Sequence, residues 1–483
     1  MISPPSAVTA QSETPAEPLR ALLRTQRAAF QSEMSPSRVV RLDRLQRLNS
    51  LVESHAEEFA AAISSDFSTR SRIEIRITET LVLQSGIRHA MRNLARWMKA
   101  RRVATALAYR PGKSMILRQP LGVVGIISPW NYPLQLALAP LIGALAAGNR
   151  AMLKPSELTP AFSQALAESI AKSFAVDEVS VVTGDAVLGR QFAALPFDHL
   201  VFTGSTAVGR EVAQAAAKNL TPVTLELGGK SPAIIDASCN LDGVIERIAW
   251  GKLINAGQTC IAPDYMLVPR GDVDRFVALM RTSMTRLYPK FRSNPDYSAI
   301  ISERHLRRLR ELIEDARGRG ATVIEVEPAD STLAGASRQL PPTLLLNVDD
   351  NMRVMSEEIF GPILPIVPYD TLAEALAYIN RRERPLALYW FGQDSAARDQ
   401  VLAGTIAGGV SVNDTLLHIA QEGLPFGGVG ASGQGQYHGE FGFRQFSKEK
   451  PVFFQSRFSG GGIIRPPYKP SIERILSWLS RFT

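Results

Sequence analysis

Only two cysteines, Cys239 and Cys260, stand among the 483 residues, so no disulfide framework holds this chain together, and the composition fits a reducing compartment. The six histidines, His55, His89, His199, His305, His418 and His438, fall at no metal-ligand spacing such as H-E-x-x-H, and no metal is expected. Long apolar runs are missing too. The longest, residues 134–148, carries Gln135 and Pro140 and is too short to cross a bilayer; it predicts a buried core helix and no stable membrane insertion. Residues 1–18 lack both a basic start and a hydrophobic segment, so they read as a disordered lead-in, and the expected location is the cytoplasm. The net charge of +8 gathers at Arg88, Arg92, Arg96, Lys99, Arg101 and Arg102. No aromatic residues alternate with these cations, so a solvated helix face is expected there and no nucleic-acid partner.

A chain of 483 residues is too long for one ordinary core and predicts two or three domains. Leu42, Leu45, Leu48 and Val52 recur at helical spacing, with Ser35 as the cap and Pro36 in the first turn. Ile73, Ile77, Leu81, Met91 and Leu94 predict a further long helix. Then the period changes. Short apolar runs at 114–128, 150–154, 179–183, 199–203 and 223–227 alternate with helical stretches, the pattern of a wound parallel sheet. A second alternating region, with strands expected at 265–268, 322–326, 363–369 and 409–412, predicts a second α/β unit. Beyond Leu424 the chain is glycine-rich, offers a strand at 450–455, and ends in Pro466-Pro467 followed by an amphipathic stretch, 472–482.

Two residues suggest covalent chemistry. Cys260 is framed by Gly257, Gln258 and Thr259, residues suited to a tight backbone approach, and Glu226 is an isolated acid upstream. A thiolate can add to a carbonyl carbon, and a separate carboxylate can later activate water against the thioester. Cys239 reads instead as a small buried hydrophobe. Asn131, bracketed by Pro129 and Pro133 just past an apolar strand, is a candidate oxyanion donor. The turn from Thr203 through Gly204 and Ser205 to Gly209 lies between a strand and a helix, where backbone amides can receive a dinucleotide phosphate, although its spacing departs from the usual fingerprint. Lys154 and Glu157 follow another strand and would project at the same end of the sheet, where the carboxylate can accept ribose hydroxyls and disfavour a 2′-phosphate. A formal G-x-G-x-x-G at 428–433 follows Pro425-Phe426-Gly427 and not a strand, so it fails its context. Gly229-Lys230-Ser231 lacks the first glycine of a P-loop, since position 224 is Thr224. Each of the retained motifs, taken alone, also suits an ordinary turn or cap.

Taken in order, P-W-N-Y-P at 129, K-P-S-E at 154, F-T-G-S-T at 202, L-E-L-G-G-K at 225, G-Q-T-C at 257, E-E-I-F-G-P at 357 and L-P-F-G-G-V-G at 424 resemble the NAD(P)-dependent aldehyde dehydrogenase superfamily. The likeness runs from about Arg27 to Gln455. Residues 412–415, 432–439 and the terminal Pro-Pro-Tyr are similar to the branch of coniferyl, fatty and aromatic aldehyde dehydrogenases, and 126–138 and 194–199 are most similar to its coniferyl members. The resemblance implies an α/β fold with a Rossmann-type cofactor domain (19–113 and 120–227) and an α/β catalytic domain (228–423). It also implies a small β oligomerisation arm (114–119 and 446–457), a glycine-rich return (424–445) and a C-terminal extension (458–483). It further implies Cys260 as nucleophile, Asn131 and the Cys260 N–H as oxyanion donors, and Glu226 as activator of water. Glu358 would hold the nicotinamide ribose with Phe360 near the ring, Lys154 and Glu157 the adenosine ribose, and Ser205 with its neighbouring amides the pyrophosphate; Ser128, Trp130, Gly204 and Gly209 complete the cofactor site. NAD or NADP is implied, with NAD favoured, as are an aldehyde substrate, aromatic or else medium- to long-chain aliphatic, and a homodimer. Two other readings stand beside it: a cofactor-free thiol esterase, for which no Cys-His pairing with an orienting acid is evident, and a non-catalytic protein that keeps only the fold.

Overall fold

Strands that are apolar at successive positions can be buried on both faces. The computed structural model, which describes residues 16–326, 338–458, 465–468 and 471–480, puts such runs at the centres of two parallel sheets. In the first, the order is Gly433–Gln434, Val223–Leu227, His199–Gly204, Val123–Ile127, Arg150–Lys154, Val179–Val181. Only the two-residue Gly433–Gln434 strand is antiparallel to its neighbour. The chain starts at Val123–Ile127, winds outward through the next two strands, then returns to its other side at His199–Gly204. That reversal opens a crevice beyond the carboxyl ends of these two strands, the usual place for a ligand in such sheets.

The second sheet runs Thr322–Glu325, Thr343–Leu346, Ile363–Tyr369, Tyr265–Pro269, Pro232–Ile235, Ala387–Phe391, Gly409–Val412, parallel except at its first strand. A third, antiparallel sheet joins Arg101–Val103, Lys113–Pro120 and Ser447–Phe454. One large apolar core surrounds the second sheet. Another joins the helices Arg38–Ser54, Ala56–Phe67, Leu81–Met98 and Pro133–Ala147 to one face of the first sheet. A smaller one covers the opposite face. The expected α/β fold with two parallel sheets is thus present.

Several local expectations are corrected. The cap of the helix Arg38–Ser54 is Ser37, whose hydroxyl accepts from Val40 N–H, and not Ser35. Ile73, Ile77 and Leu81 are spaced for one helical stripe, yet they are exposed, and the inward face carries Ile75, Glu79, Leu83 and Ile87. A π-helical turn over Arg76–Thr80 separates the flanking α-helices, and an extra residue in a turn rotates which side chains face inward. Arg101 and Arg102 lie on a strand, not on a helix face. Glu17 and Pro18 begin a helix, while residues 1–15 of the expected lead-in lie outside the described residues. The terminal helix covers Ser471–Leu479. Among the described residues no helix is long and apolar enough to cross a membrane.

The helix Pro133–Ala147 is buried almost throughout, so its last carbonyls have no water to accept from. Arg41, itself buried, supplies the donors: its Nη1 donates to Ala146 O at 3.2 Å and Ala147 O at 2.6 Å, and its Nε to Pro36 O at 3.0 Å. Arg41→Met is expected to lower the midpoint of urea unfolding, a loss on the order of 1–3 kcal/mol from orphaned buried carbonyls, read by tryptophan fluorescence.

Candidate active site

The helix Leu241–Leu253 gives way to a turn in which Asn255 and Ala256 take φ of 49° and 51°. Gly257 follows at φ +72°, where a Cβ would stand 2.4 Å from Gly361 O. Non-glycine residues in the left-handed region are uncommon and need surrounding contacts to hold them. Gln258 supplies several: its buried amide donates to Asn255 O at 3.1 Å and Ala299 O at 3.0 Å, and accepts from Ile301 N at 3.0 Å. The turn ends at Cys260, whose side chain is partly accessible.

Asn131 reaches this turn from the other sheet. It is buried, and its Nδ2 donates to Gln258 O at 3.1 Å. Next to it, Tyr132 hydroxyl and Thr259 Oγ1 are 2.7 Å apart. Glu226 comes from the carboxyl end of Val223–Leu227, opposite Thr203 on one side and Gly433 on the other. It is buried, and neither carboxylate oxygen has a bonded partner. Burial pushes its carboxyl well above the ordinary range, tempered only by the nearby Gly428 N–H. The glycine-rich return therefore forms the wall behind Glu226, with Leu227 N donating to Ser432 O at 3.0 Å.

Glu358 lies against Gly228, where a Cβ would stand 2.1 Å from Oε2; only glycine leaves room for that carboxylate. Burial pushes Glu358 up to about 7, with Asp264 adding to the rise and Gly229 N–H, Lys230 and Arg308 opposing it. The loop that carries it is clamped. Lys230 pairs with Asp264 and donates to Val354 O at 2.8 Å and Glu357 O at 3.0 Å. Arg308 donates to the Glu358 and Ile359 carbonyls. Lys230 is thus a structural clamp. Phe360, at φ 54°, sets its ring 5.4 Å from Trp130, edge to face.

The Cys260 thiol is pushed up to about 12, first by burial and then by the charges of Glu358 and Glu226. Nothing cationic faces it; only the Cys260 and Ile261 backbone N–H groups oppose the rise.

Ser128, Trp130, Lys154, Glu157, Gly204 and Ser205 line a single cleft of about 550 Å3 at the crevice of the first sheet. Lys154 is buried and its Nζ pairs with Glu157 Oε2 at 3.1 Å. Ser205 caps the helix Thr206–Ala217, its hydroxyl accepting from Val208 N–H at 3.4 Å, so the start of that helix lies at the cleft. Gly209 stands behind, where a Cβ would meet Leu227 Cδ2 at 2.5 Å, so it sets how closely the helix approaches the strand. A helix start, a cation and an accessible carboxylate in one cleft suit a dinucleotide. The sequence-predicted residues therefore fall in two adjoining groups, Cys260, Glu226, Asn131, Glu358 and Phe360 at one end and the cleft residues at the other, with Trp130 between. His305, 5.2 Å from the Trp130 ring, was not legible, nor were Arg70, Glu74 and Glu79, whose partners lie far along the chain. Among the described residues no cluster of His, Cys, Asp and Glu is suited to a metal.

Residues 6–452 match the aldehyde dehydrogenase family. A probable coniferyl aldehyde dehydrogenase of Pseudomonas aeruginosa is 50% identical over 466 residues, 96% of this chain and 97% of that protein. Among solved structures, the substrate-bound state of Staphylococcus aureus AldH is 38% identical with a TM-score of 0.89, covering 95% of this chain and 99% of that one. A P. syringae indole-3-acetaldehyde dehydrogenase mutant in complex with NAD+ and IAA is 25% identical with a TM-score of 0.82, covering 92% and 90%.

A protonated thiol flanked by carboxylates reacts slowly with alkylating agents. Without cofactor, the iodoacetamide rate at Cys260 is expected to rise roughly tenfold per pH unit from neutrality with no plateau near the free-thiol value of about 8.5. Glu358→Gln should shift that profile to lower pH, because one negative charge is removed.

Proposed function

Since this chain belongs to the aldehyde dehydrogenase family, whose members are oxidoreductases acting on aldehydes with a nicotinamide cofactor, we propose that it converts an aldehyde to the free carboxylic acid through a thioester on Cys260. The observation that carries this reading is the meeting of the Asn131 amide with the turn of Cys260, beside a buried Glu226 that no side chain engages.

The chain's own groups act as follows. The Cys260 thiol first gives up its proton to water, and the thiolate then adds to the carbonyl carbon to give the oxyanion of a thiohemiacetal. One Asn131 Nδ2 hydrogen is spent on Gln258 O; an amide nitrogen carries two, so the second, with the Cys260 N–H, receives the oxyanion. A nicotinamide bound in the cleft supplies the hydride acceptor, and its positive ring favours the thiolate. Collapse of the oxyanion with loss of hydride leaves the thioester. Glu226 then takes a proton from water as the water oxygen attacks that carbonyl, and the second collapse breaks the carbon–sulfur bond, releasing the acid and restoring Cys260. Glu226 reacts only when ionised, and burial raises its carboxyl. Its step therefore gains with pH well above the usual carboxylate range.

Glu358 and Phe360 would hold the nicotinamide end. Ser205 and its neighbouring amides, with Gly204, would hold the pyrophosphate. Lys154 and Glu157 would take the adenosine ribose, beside Ser128 and Trp130. The Glu157 carboxylate favours a free 2′-hydroxyl, which supports NAD over NADP. Similarity to proteins named as coniferyl aldehyde dehydrogenases supports an aromatic aldehyde, and a medium- or long-chain aliphatic aldehyde is the other candidate. The Lys113–Pro120 and Ser447–Phe454 strands are the proposed contact of a homodimer. A panel of cinnamyl, benzyl and long-chain aldehydes with both cofactors ranks these choices.

Cys260→Ala is expected to abolish aldehyde-dependent NADH formation while circular dichroism stays native. Full turnover in that variant would remove the nucleophile from the mechanism. Glu226→Gln should give one NADH burst per site without steady turnover; unchanged steady turnover would clear Glu226 of deacylation, and NAD-independent product would favour an esterase.

A further inference from the structure

Arg70 is fully buried although it touches none of the residues assigned to chemistry by side chain. Its Nη1 donates to Asn131 O at 2.8 Å and stands 3.1 Å from Glu79 Oε1, and its Nε donates to Glu74 Oε1 at 3.3 Å. The other Glu74 oxygen accepts from Asn255 N at 3.1 Å. Asn255 Nδ2 in turn donates to Asn131 O at 2.9 Å. These four residues close a ring: Arg70, Asn131, Asn255, Glu74 and back to Arg70.

A second set of contacts ties the same peptide from the far side. Glu79 Oε2 accepts from Leu134 N at 2.8 Å and Gln135 N at 3.1 Å, which pins the start of the buried helix just after Asn131. The Arg70 guanidinium lies 4.7 Å from the Tyr132 ring, and the Tyr132 hydroxyl meets Thr259 Oγ1.

We infer that Arg70 is a positioning residue for the reaction, fixing through Glu74 and Glu79 both the Asn131 amide and the left-handed turn in front of Cys260. This rests on the assignment of Asn131 and Cys260 made above. The physical reason is geometric. An oxyanion donor works only where its hydrogen meets the developing charge, and neither the Asn131 side chain nor the strained Asn255–Ala256 turn can hold its place alone. A buried ion pair is a poor source of net stability, since an apolar replacement of similar volume is often neutral. An apolar side chain, however, could not hold Asn131 O and Glu74 together.

The test uses the full-length chain with benzaldehyde and NAD in a stopped-flow instrument. For Arg70→Lys the rate constant of the NADH burst is expected to fall by about tenfold to a hundredfold, the cost of misplacing a reacting group by about 1 Å. The KM for NAD should stay within about twofold, since Arg70 bonds none of the residues that line the cofactor cleft. Glu74→Gln keeps one acceptor but removes the charge that holds Arg70, and should move the rate constant in the same direction by less. A purely structural role would lower only the burst amplitude, in proportion to the fraction of protein with an alkylatable Cys260, and leave the rate constant unchanged; that result in either soluble variant overturns the inference. If Arg70→Lys does not fold, Glu74→Gln decides. A wild-type burst that survives Cys260→Ala refutes the assigned mechanism itself, whereas a Cys260-dependent burst indifferent to both variants refutes only the role of Arg70.

Discussion

Two loops from two separately cored sheets meet through three hydrogen bonds: Asn131 Nδ2 to Gln258 O at 3.1 Å, Asn255 Nδ2 to Asn131 O at 2.9 Å, and the Tyr132 hydroxyl with Thr259 Oγ1 at 2.7 Å. Asn131 follows the first strand of the first sheet, and Gln258 precedes the Tyr265–Pro269 strand of the second. Each sheet is stabilised by its own apolar core, so neither core dictates the distance between the loops. The polar groups at the junction do, and they are buried, where an unmatched donor or acceptor costs about 1–3 kcal/mol. Directional bonds with so large a penalty for misfit define a position that apolar packing would leave loose.

The same burial governs the electrostatics. Water is excluded around the junction, so charge is disfavoured there unless a partner answers it. The acids all rise: Glu79 to about 6, opposed by Arg70 and by the Leu134 and Gln135 N–H groups; Glu358 to about 7, opposed by Gly229 N–H, Lys230 and Arg308; and Glu226 well above the ordinary range, opposed only by Gly428 N–H. The thiol is pushed to about 12 by the same exclusion of water and by two of these acids. A site so poor in positive charge is one that a cationic ring would change strongly, which ties the reactivity of the sulfur to occupation of the neighbouring cleft.

How much of this was legible in the sequence follows from the range of the forces involved. The two parallel sheets were readable because consecutive apolar residues between turns constrain a strand locally. So was the array of motif residues, which carried a family likeness that the comparisons bear out. The short strands Pro232–Ile235, Thr343–Leu346 and Ala387–Phe391 were passed over, since a few apolar residues specify a strand only once neighbours exist. The stripe of Ile73, Ile77 and Leu81 misled for a different reason: a π turn shifts the face by one position, and spacing alone carries no sign of it. Arg70, Glu74 and Glu79 were invisible as a group because their partners lie at Asn131, Leu134 and Asn255, contacts set by tertiary structure and by no local pattern.

The strand that bears Glu226 has its outer edge covered by Gly433–Gln434, a segment made long after it on the ribosome. Until that segment emerges, Val223–Leu227 presents an open row of amides and carbonyls, the kind of edge on which nascent chains associate. A chain halted before the glycine-rich return would therefore keep that edge open and leave Glu226 without the wall that Ser432 and Gly433 supply. Covering this edge of the sheet and enclosing the Glu226 carboxylate are thus one structural event, made by residues that lie about two hundred positions later in the chain.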